Sequence, residues 1–315
     1  MNTYTAMLPH IKGADYETHL WNALRGKPGH KEHLSNGINV ATGAFTLTPK
    51  SQDKFLTALQ KSGLFRNFAT DLRLYNYDYR IKTVAGNDMA AWVPEGGVIP
   101  IQDGISDFGD IALNSHKLAV FLKLEEGLIS DPSFDIEDYL VKRLGKNFGR
   151  AEDYGFIKGT GEHMPTGILA DEGGAEVGVT TTQLTYDDVV KLFFDLKPEY
   201  RKNGIWLMND ETALALRSVK DNSGNYIWNH ANDTILGKKV CISEFMPNAE
   251  SGSKPIAFGD FSYYWIVGRS PLSVRPLVEQ FAMVDCVGYL AYEFLDGKLI
   301  RPEAIKVMQM TDTAA

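Results

Sequence analysis

The chain has 315 residues, of which 44% are hydrophobic, enough for one large domain or two ordinary ones with a packed core. Its formal net charge of −8 argues against tight binding of nucleic acid, because phosphate contacts need clustered Lys and Arg. The sequence has neither an apolar run of about 18 residues nor a signal-peptide pattern, so we expect no membrane span and synthesis in a cytoplasm.

The first 48 residues are predicted to form an extended arm with one short helix. Breakers such as Gly26, Pro28 and Gly43 interrupt any regular pattern, and the short helix is expected around Tyr16–Leu24. A second helix is predicted near Pro49–Lys61.

A long β-hairpin is predicted from Arg73 to Lys123. Its second arm follows a strand pattern from Ile111 to Leu124. Each arm holds about 20 residues, so at about 3.3 Å per residue the hairpin would extend beyond a compact body of this size. Because an isolated two-stranded ribbon is marginal in water, we expect another chain to support it, which indicates self-assembly. The first arm alternates polar residues with Tyr75, Tyr77, Tyr79 and Ile81.

The strongest helix prediction covers Ile136 to Lys158, with Asp135 placed to cap its first turn. An apolar stripe with four-residue spacing consists of Ile136, Leu140, Leu144 and Phe148. A separate basic stripe consists of Lys142, Lys146 and Arg150. Either tolerated surface glycine or close contact with a neighbouring element would explain Gly145, Gly149 and Gly155.

From Thr185 the pattern changes to alternating helices and strands. Thr185 and Asp188 resemble a capping pair for a helix that ends before Pro198. The last third is rich in strand patterns, and the Asp296–Gly297 pair suits a tight hairpin turn.

Residues with catalytic or metal-binding patterns are scarce. No nucleophile elbow, zinc-protease helix, Cys-x-x-Cys pair or phosphate-binding loop occurs. His30 and His33 lack a third ligand, so we interpret them as solvent-exposed histidines, and Cys241 and Cys286 as buried free thiols. We therefore predict no catalytic residue, no cofactor, no metal and no enzyme activity.

A series of short motifs runs in order through most of the chain, from about Leu34 to Met310. The series includes Ala91–Gly96, Glu126–Asp131, Gly159–Gly161, Pro165–Leu169, Trp206–Asn209, Leu236–Val240 and Phe258–Phe261. Each motif alone is weak, but their order and spacing together resemble tailed-phage major capsid proteins of the Hong Kong 97 type.

The resemblance implies an α+β, Hong Kong 97-like capsid fold with four parts. They are an N-terminal arm (1–48), an extended hairpin loop that lies over a neighbour (74–118), an axial domain (178–270) and a discontinuous peripheral domain (49–73, 119–177 and 271–315) whose spine helix spans about 136–158.

The implied function is that of a major capsid protein in a virion capsid assembled in the host bacterial cytoplasm. Its copies would form pentamers and hexamers and close an icosahedral shell around double-stranded DNA, without sequence-specific binding. Separate scaffold, portal and decoration proteins are the expected partners.

Only about 33 residues precede Leu34, so we expect an uncleaved arm, with cleavage near Lys31 as the alternative. An encapsulin-like nanocompartment shell holding a cargo enzyme is the alternative function, and a soluble α+β enzyme is the outside alternative.

The chain departs from relatives that weld subunits by a lysine–asparagine isopeptide bond. No Lys or Arg occurs from Thr83 to His116, where the reactive lysine would lie. The asparagine and glutamate positions hold Asp285 and Tyr292, with Glu293 one residue further on. We therefore predict no autocatalytic cross-linking.

The same lysine-free stretch carries Asp88, Glu95, Asp103, Asp107 and Asp110, and we hypothesise that it docks near the basic stripe of a neighbour. The alternative is a solvated helix face on which Asp138 pairs with Lys142. The candidate intersubunit contacts are Tyr75, Tyr77, Tyr79, Trp92, Glu95, Asp103, Asp107, Lys142, Lys146 and Arg150.

Overall fold

The computed structural model describes residues 4–5, 14–27, 29–39, 43–73, 80–84, 108–131, 133–220, 224–229 and 231–312. Its helices are α1 (Ala14–Leu24), α2 (Pro49–Ser62), α3 (Glu126–Ser130), α4 (Ile136–Lys158), α5 (Tyr186–Asp195), α6 (Pro198–Arg201) and α7 (Asp210–Ser218). None of the helices in these ranges is long and apolar enough to cross a membrane.

The strands form two large sheets and one separate ribbon. In chain order they are β1 (Tyr4–Thr5), β2 (Ile38–Asn39), β3 (Ala44–Thr46), β4 (Thr70–Arg73), β5 (Arg80–Val84), β6 (Phe108–Ala112), β7 (His116–Glu125), β8 (Glu176–Thr181), β9 (Ile205–Met208), β10 (Trp228–Asn229), β11 (Thr234–Ile235), β12 (Lys238–Ile242), β13 (Ile256–Gly259), β14 (Tyr264–Gly268), β15 (Ser273–Leu277), β16 (Cys286–Leu299) and β17 (Ile305–Met310).

The long strand β16 is the centre of the first sheet. One edge of β16 pairs with β7 from Cys286 to Leu295, and the other pairs first with β15 and then with β14. β14 continues the sheet to β4 and β1, while β15 continues it to β3 and β2. Both cysteines are free thiols, with Cys286 buried and Cys241 half-buried.

The predicted turn at Asp296–Gly297 is wrong, because β16 runs straight through both residues. Asp296 is fully buried and accepts a 2.6 Å hydrogen bond from the backbone N–H of Asn114. A Cβ at Gly297 would lie 2.6 Å from the Tyr264 hydroxyl oxygen, so glycine permits close packing here. Asp296 and Gly297 therefore make contacts with segments that are distant in the sequence, and a rule based on local turn residues cannot detect these contacts.

The second arm of the predicted hairpin is divided in the structure. β6 pairs with β5, but β7 (His116–Glu125) pairs with β16 and belongs to the body. The prediction of one continuous arm from Ile111 to Leu124 is therefore wrong. The pairing of β6 with β5 ends at Ala112, so the second arm of the ribbon ends there rather than at Leu124.

The described part of the N-terminal segment from Ala14 is less extended than predicted. Helix α1 forms at the expected place, and Leu20, Trp21 and Leu24 are buried in one core cluster with Leu34 and Phe45. That cluster also contains the apolar faces of α2 and α4. Helix α1, Leu34 and Phe45 thus pack with the body rather than extending away from it.

Helix α4 spans the residues predicted for it, and Asp135 caps it by accepting from the N–H of Asp138 at 3.1 Å. Its apolar stripe is buried against α2 and the first sheet. Gly145 and Gly149 lie at the crossing with α2, where an added Cβ would come within 2.7 Å and 3.0 Å of α2 residues and of Gly63 just beyond it. Close contact with a neighbouring element is therefore the correct explanation for these two glycines.

The second sheet has the strand order β10-β11-β12-β9-β13-β17-β8. It packs with α5 and α7 around the fully buried Trp206 and Phe258, whose rings stack at 4.1 Å. The predicted domain boundaries do not follow the sheets at two places. β14 lies in the first sheet although it falls within 178–270, and β17 lies in the second sheet although it falls within 271–315.

Candidate intersubunit surfaces

The ribbon of β5 and β6 is the first candidate surface. Its strands are antiparallel, with Arg80 opposite Ala112 and Val84 opposite Phe108. Within the described ranges the ribbon forms a sheet of its own, separate from both large sheets. Seven predicted contact residues belong to this region but lie outside the described residues: Tyr75, Tyr77, Tyr79, Trp92, Glu95, Asp103 and Asp107.

The basic stripe of α4 is the second candidate surface, and the structure places all three of its members at exposed positions. Lys142 pairs with Asp138 at 2.8 Å, and Arg150 pairs with Glu244 at 2.9 Å. Exposed pairs of this kind contribute about 0–1 kcal/mol each, so they could be exchanged for other partners at small cost. Lys146 forms no ion pair with the residues that the structure describes.

A groove of about 470 Å³ runs along the same face of α4. Its basic side is formed by Lys142, Arg143 and Lys146, while Phe134 and Tyr139 supply an aromatic side with ring centroids 5.5 Å apart. Arg143 and both rings were not predicted as contacts, since none of the three falls on the four-residue spacing of the basic stripe. Asp135 and Asp138 also line the groove, and Asp138 pairs with Lys142. Arg143 and Lys146 are therefore the lining cations left without an ion pair among the described residues, and they suit a segment that is acidic and partly apolar.

A buried charge cluster lies behind this helix, between α4, β4 and β16. Arg66 donates two 2.7 Å hydrogen bonds to Glu152 and one of 2.8 Å to Asp71, which also accepts from Arg73 at 3.1 Å. Burial raises the pKa of Glu293 to about 8; the charge of Glu152 adds to this rise, and Arg66 and Arg73 oppose it. Two guanidinium groups thus face three carboxyl groups, and the cluster is neutral when Glu293 keeps its proton.

Several exposed apolar side chains were not predicted as contacts. Met283 is fully exposed in the 3-10 helix Glu279–Val284 between β15 and β16, and Val284 beside it is half exposed. On α7, Leu214 is 72% exposed while Ala213 and Leu216 are buried. The helical spacing of α7 could have identified Leu214, because it lies off the buried face.

His33 is exposed as predicted and His30 is half-buried, and both contact a third histidine that the sequence did not place with them. His19 of α1 joins His30 and His33: its Nδ1 lies 2.8 Å from that of His30, and its ring stacks on His33 with centroids 4.3 Å apart. Among the described residues, no group of three or more His, Cys, Asp or Glu side chains has an arrangement that could hold a metal ion.

A family model described as the phage capsid family matches residues 43–310. The capsid of an empty GTA particle, computed with C5 symmetry, is 28% identical and aligns with a TM-score of 0.67 over 79% of this chain and 90% of that chain. The capsid of a native GTA particle is also 28% identical, with a TM-score of 0.62 over 78% of this chain and 89% of that chain. A chain from Mycobacterium phage Bobi is 16% identical, with a TM-score of 0.58 over 80% and 91% of the two chains, which is a likeness of fold alone. The comparison with curated proteins gave no match.

Proposed function

Since this chain belongs to the phage capsid family and is a tailed-phage major capsid protein of the Hong Kong 97-like fold, we propose that its copies gather as pentamers and hexamers and close an icosahedral shell around double-stranded DNA. Assembly takes place in the cytoplasm of a host bacterium, with separate scaffold, portal and decoration proteins as partners. The C5 symmetry of the similar GTA capsid supports five-fold rings of this chain.

The ribbon is the observation that carries the proposal. β5 and β6 pair with each other and, within the described ranges, with neither large sheet. A two-stranded ribbon is marginally stable alone in water. A neighbouring copy supplies the missing packing surface, and repeating this contact around a ring gives heterologous interfaces that close on themselves.

The two large sheets divide the assembly roles. We assign the first sheet with α1, α2 and α4 to the peripheral domain and the second sheet with α5 and α7 to the axial domain that surrounds the ring axis. The acidic segment 83–116 of one copy docks on the basic face of α4 in the next, where Lys146 is exposed without an ion-pair partner among the described residues. Opposite charges at such a contact steer association and fix its register.

Expression of the chain with its scaffold, followed by light scattering and electron microscopy, tests the proposal. We expect closed particles of uniform diameter, in the megadalton range, that protect DNA from nuclease when isolated from infected cells. Particles filled with a cargo enzyme and free of DNA would instead support a nanocompartment shell. A protein that stays monomeric with every scaffold tested would overturn the proposal.

A further inference from the structure

We propose that Arg269, Asp296 and Lys298 are positioning residues that fix the direction in which the ribbon leaves the body. The inference rests on the proposed function, because direction matters only if the ribbon meets a neighbouring copy. The three residues act on the ribbon's root, defined here as residues 112–114, and they touch no part of the proposed contact surface on α4.

Three consecutive root residues are each held by a different side chain. Lys298 donates a 2.7 Å hydrogen bond to the carbonyl oxygen of Ala112. Arg269 donates through Nη2 to the carbonyl oxygen of Leu113. The backbone N–H of Asn114 donates to Oδ2 of Asp296 at 2.6 Å. A ladder of ordinary strand pairing would need no charged side chain at any of these positions.

The side chain of the root is anchored as well. Leu113 is buried in a small cluster of its own with Leu72 and Val267. Leu72 lies on β4, which pairs in parallel with β14 just before the chain enters the other side of the ribbon region. Both ends of the ribbon region are therefore fixed to the same part of the first sheet, and the cluster joins them.

Asp296 has a role that other side chains could not fill. Its Oδ1 accepts from the N–H of Gly297 at 2.8 Å while its Oδ2 accepts from Asn114, so both carboxylate oxygens are used. Burial raises the pKa of Asp296, and these two hydrogen bonds and the nearby His116, 3.6 Å away, oppose the rise. An asparagine offers one acceptor only and would turn an NH2 group toward one of the two N–H donors.

The consequence is that the parent subunit, rather than its neighbour, sets the angle of the ribbon. Three attachments on consecutive residues leave the backbone at the root little freedom to rotate. A ribbon held in one direction loses less conformational entropy when it docks, which is the usual benefit of preorganisation. The same angle then repeats in every copy, so the curvature of the shell depends on these three side chains.

The experiment compares Lys298→Met and Asp296→Asn with the wild type, with Lys298→Arg as the conservative variant. Lys306→Met is the matched control, since Lys306 lies on β17 and pairs with Glu176 and Asp195 instead. Hydrogen exchange is measured on unassembled protein, and particle diameter and the fraction of closed shells are measured by electron microscopy after assembly.

We expect amides of 108–114 to exchange at least tenfold faster in Lys298→Met and Asp296→Asn, while amides of the β7–β16 pair stay unchanged. We expect these two variants to give broken or unevenly sized particles, and Lys298→Arg and Lys306→Met to give wild-type particles. Unchanged exchange at 108–114, or uniform wild-type shells despite faster exchange, would overturn the inference. If wild-type protein formed no shell while the exchange results were as expected, the proposed function would be wrong. The conclusion that Asp296 and Lys298 hold residues 112–114 would still be supported.

Discussion

The buried charge cluster shows how single residues constrain this protein. Arg66 is buried, and its bidentate contact with Glu152 ties α4 to the segment that precedes the ribbon. Removing one partner of such a pair costs about 3–5 kcal/mol, because the other charge stays buried and uncompensated. Glu293 is the exception, since one of its oxygens, Oε1, has no hydrogen-bond partner among the described residues. Replacing Glu293 therefore tests the effect of its proton while the hydrogen bonds of Arg66 and Arg73 to Glu152 and Asp71 are kept.

Glu293→Gln is expected to flatten the dependence of stability on pH. A carboxyl whose pKa rises on folding from an ordinary 4.5 to about 8 keeps its proton in the folded state. Its stabilising contribution is complete below about pH 4.5 and is lost as pH rises through 8, so the free energy of unfolding falls across that window. Urea denaturation of the unassembled protein at pH 6.5 and 8 should show a loss of about 1–2 kcal/mol in the wild type and much less in Glu293→Gln.

The window is chosen to exclude a second carboxyl. Asp153 accepts backbone hydrogen bonds from Leu64 and Phe65, and burial raises its pKa to about 6, so its contribution of the same sign is lost mainly below pH 6.5. Glu244→Gln is the control, because Glu244 is exposed and pairs with Arg150. Equal slopes for Glu293→Gln and the wild type would contradict the assignment of the proton to Glu293.

At the scale of elements, helices were predicted well because their signals are local. The four-residue spacing and the cap at Asp135 lie within one turn of α4, and the structure has the helix at the predicted residues. The Asp296–Gly297 prediction failed because its deciding partner, Asn114, is 182 residues away in the sequence. The prediction of one continuous second arm of the hairpin failed for a related reason. A period of two identifies a strand but cannot tell whether its partner is the other arm or the central strand of the body.

Gly145→Ala and Gly155→Ala are expected to have different effects on stability although both lie in α4. Alanine gains about 1 kcal/mol of helix propensity over glycine at either site. At Gly145 the added Cβ would lie 2.7 Å from the Cβ of Ala58, so α2 must shift, at a cost of about 1–3 kcal/mol. At Gly155 the nearest atom is Cδ of Pro165 at 3.5 Å, an ordinary contact. Thermal denaturation should show a lower midpoint for Gly145→Ala and an equal or higher one for Gly155→Ala.

The double variant Gly145→Ala with Ala58→Gly checks the cause. Removing the Ala58 methyl group makes room for the new one, so the double variant should lose less stability than the sum of the losses in Gly145→Ala and Ala58→Gly. Additive losses in the double variant would show that the helix crossing is not the source of the effect.

At the scale of the whole molecule, the sequence predicted the family and the capsid fold, whereas several exposed apolar side chains were not predicted. The motifs from Leu34 to Met310 identified the capsid fold, and the family match over 43–310 agrees with them. The exposed Met283 and Leu214 escaped notice, because an apolar residue in a strand-rich or helical segment is normally assigned to the core. Burial is decided by the packing of distant segments, which no local pattern reports.

Purified particles are expected to dissociate fully to monomers on a denaturing gel. Isopeptide bond formation needs a lysine amine and a carboxamide that loses ammonia, whereas Asp285 offers a carboxylate and residues 83–116 offer no lysine. Asp285 is exposed in a left-handed backbone conformation, and Glu293 is engaged with the buried cluster. Bands above the monomer that survive heating in detergent and reductant would contradict this prediction.

Charge reversal on α4 tests how neighbouring copies find each other. Arg143→Glu with Lys146→Glu places two negative charges where the acidic segment 83–116 is proposed to dock, so assembly should slow and its dependence on salt should weaken. Lys239→Glu on β12 is the control, an exposed lysine in the second sheet. Light scattering during scaffold-driven assembly gives the rate at 50 mM and at 300 mM salt.

Adding Asp103→Lys and Asp107→Lys to the variant with reversed charges on α4 restores the attraction with opposite signs. Recovery of the assembly rate would therefore identify the two surfaces as partners. An unchanged rate in the reversed variant at both salt concentrations would mean that the basic face is simply solvated, as the Asp138–Lys142 pair allows.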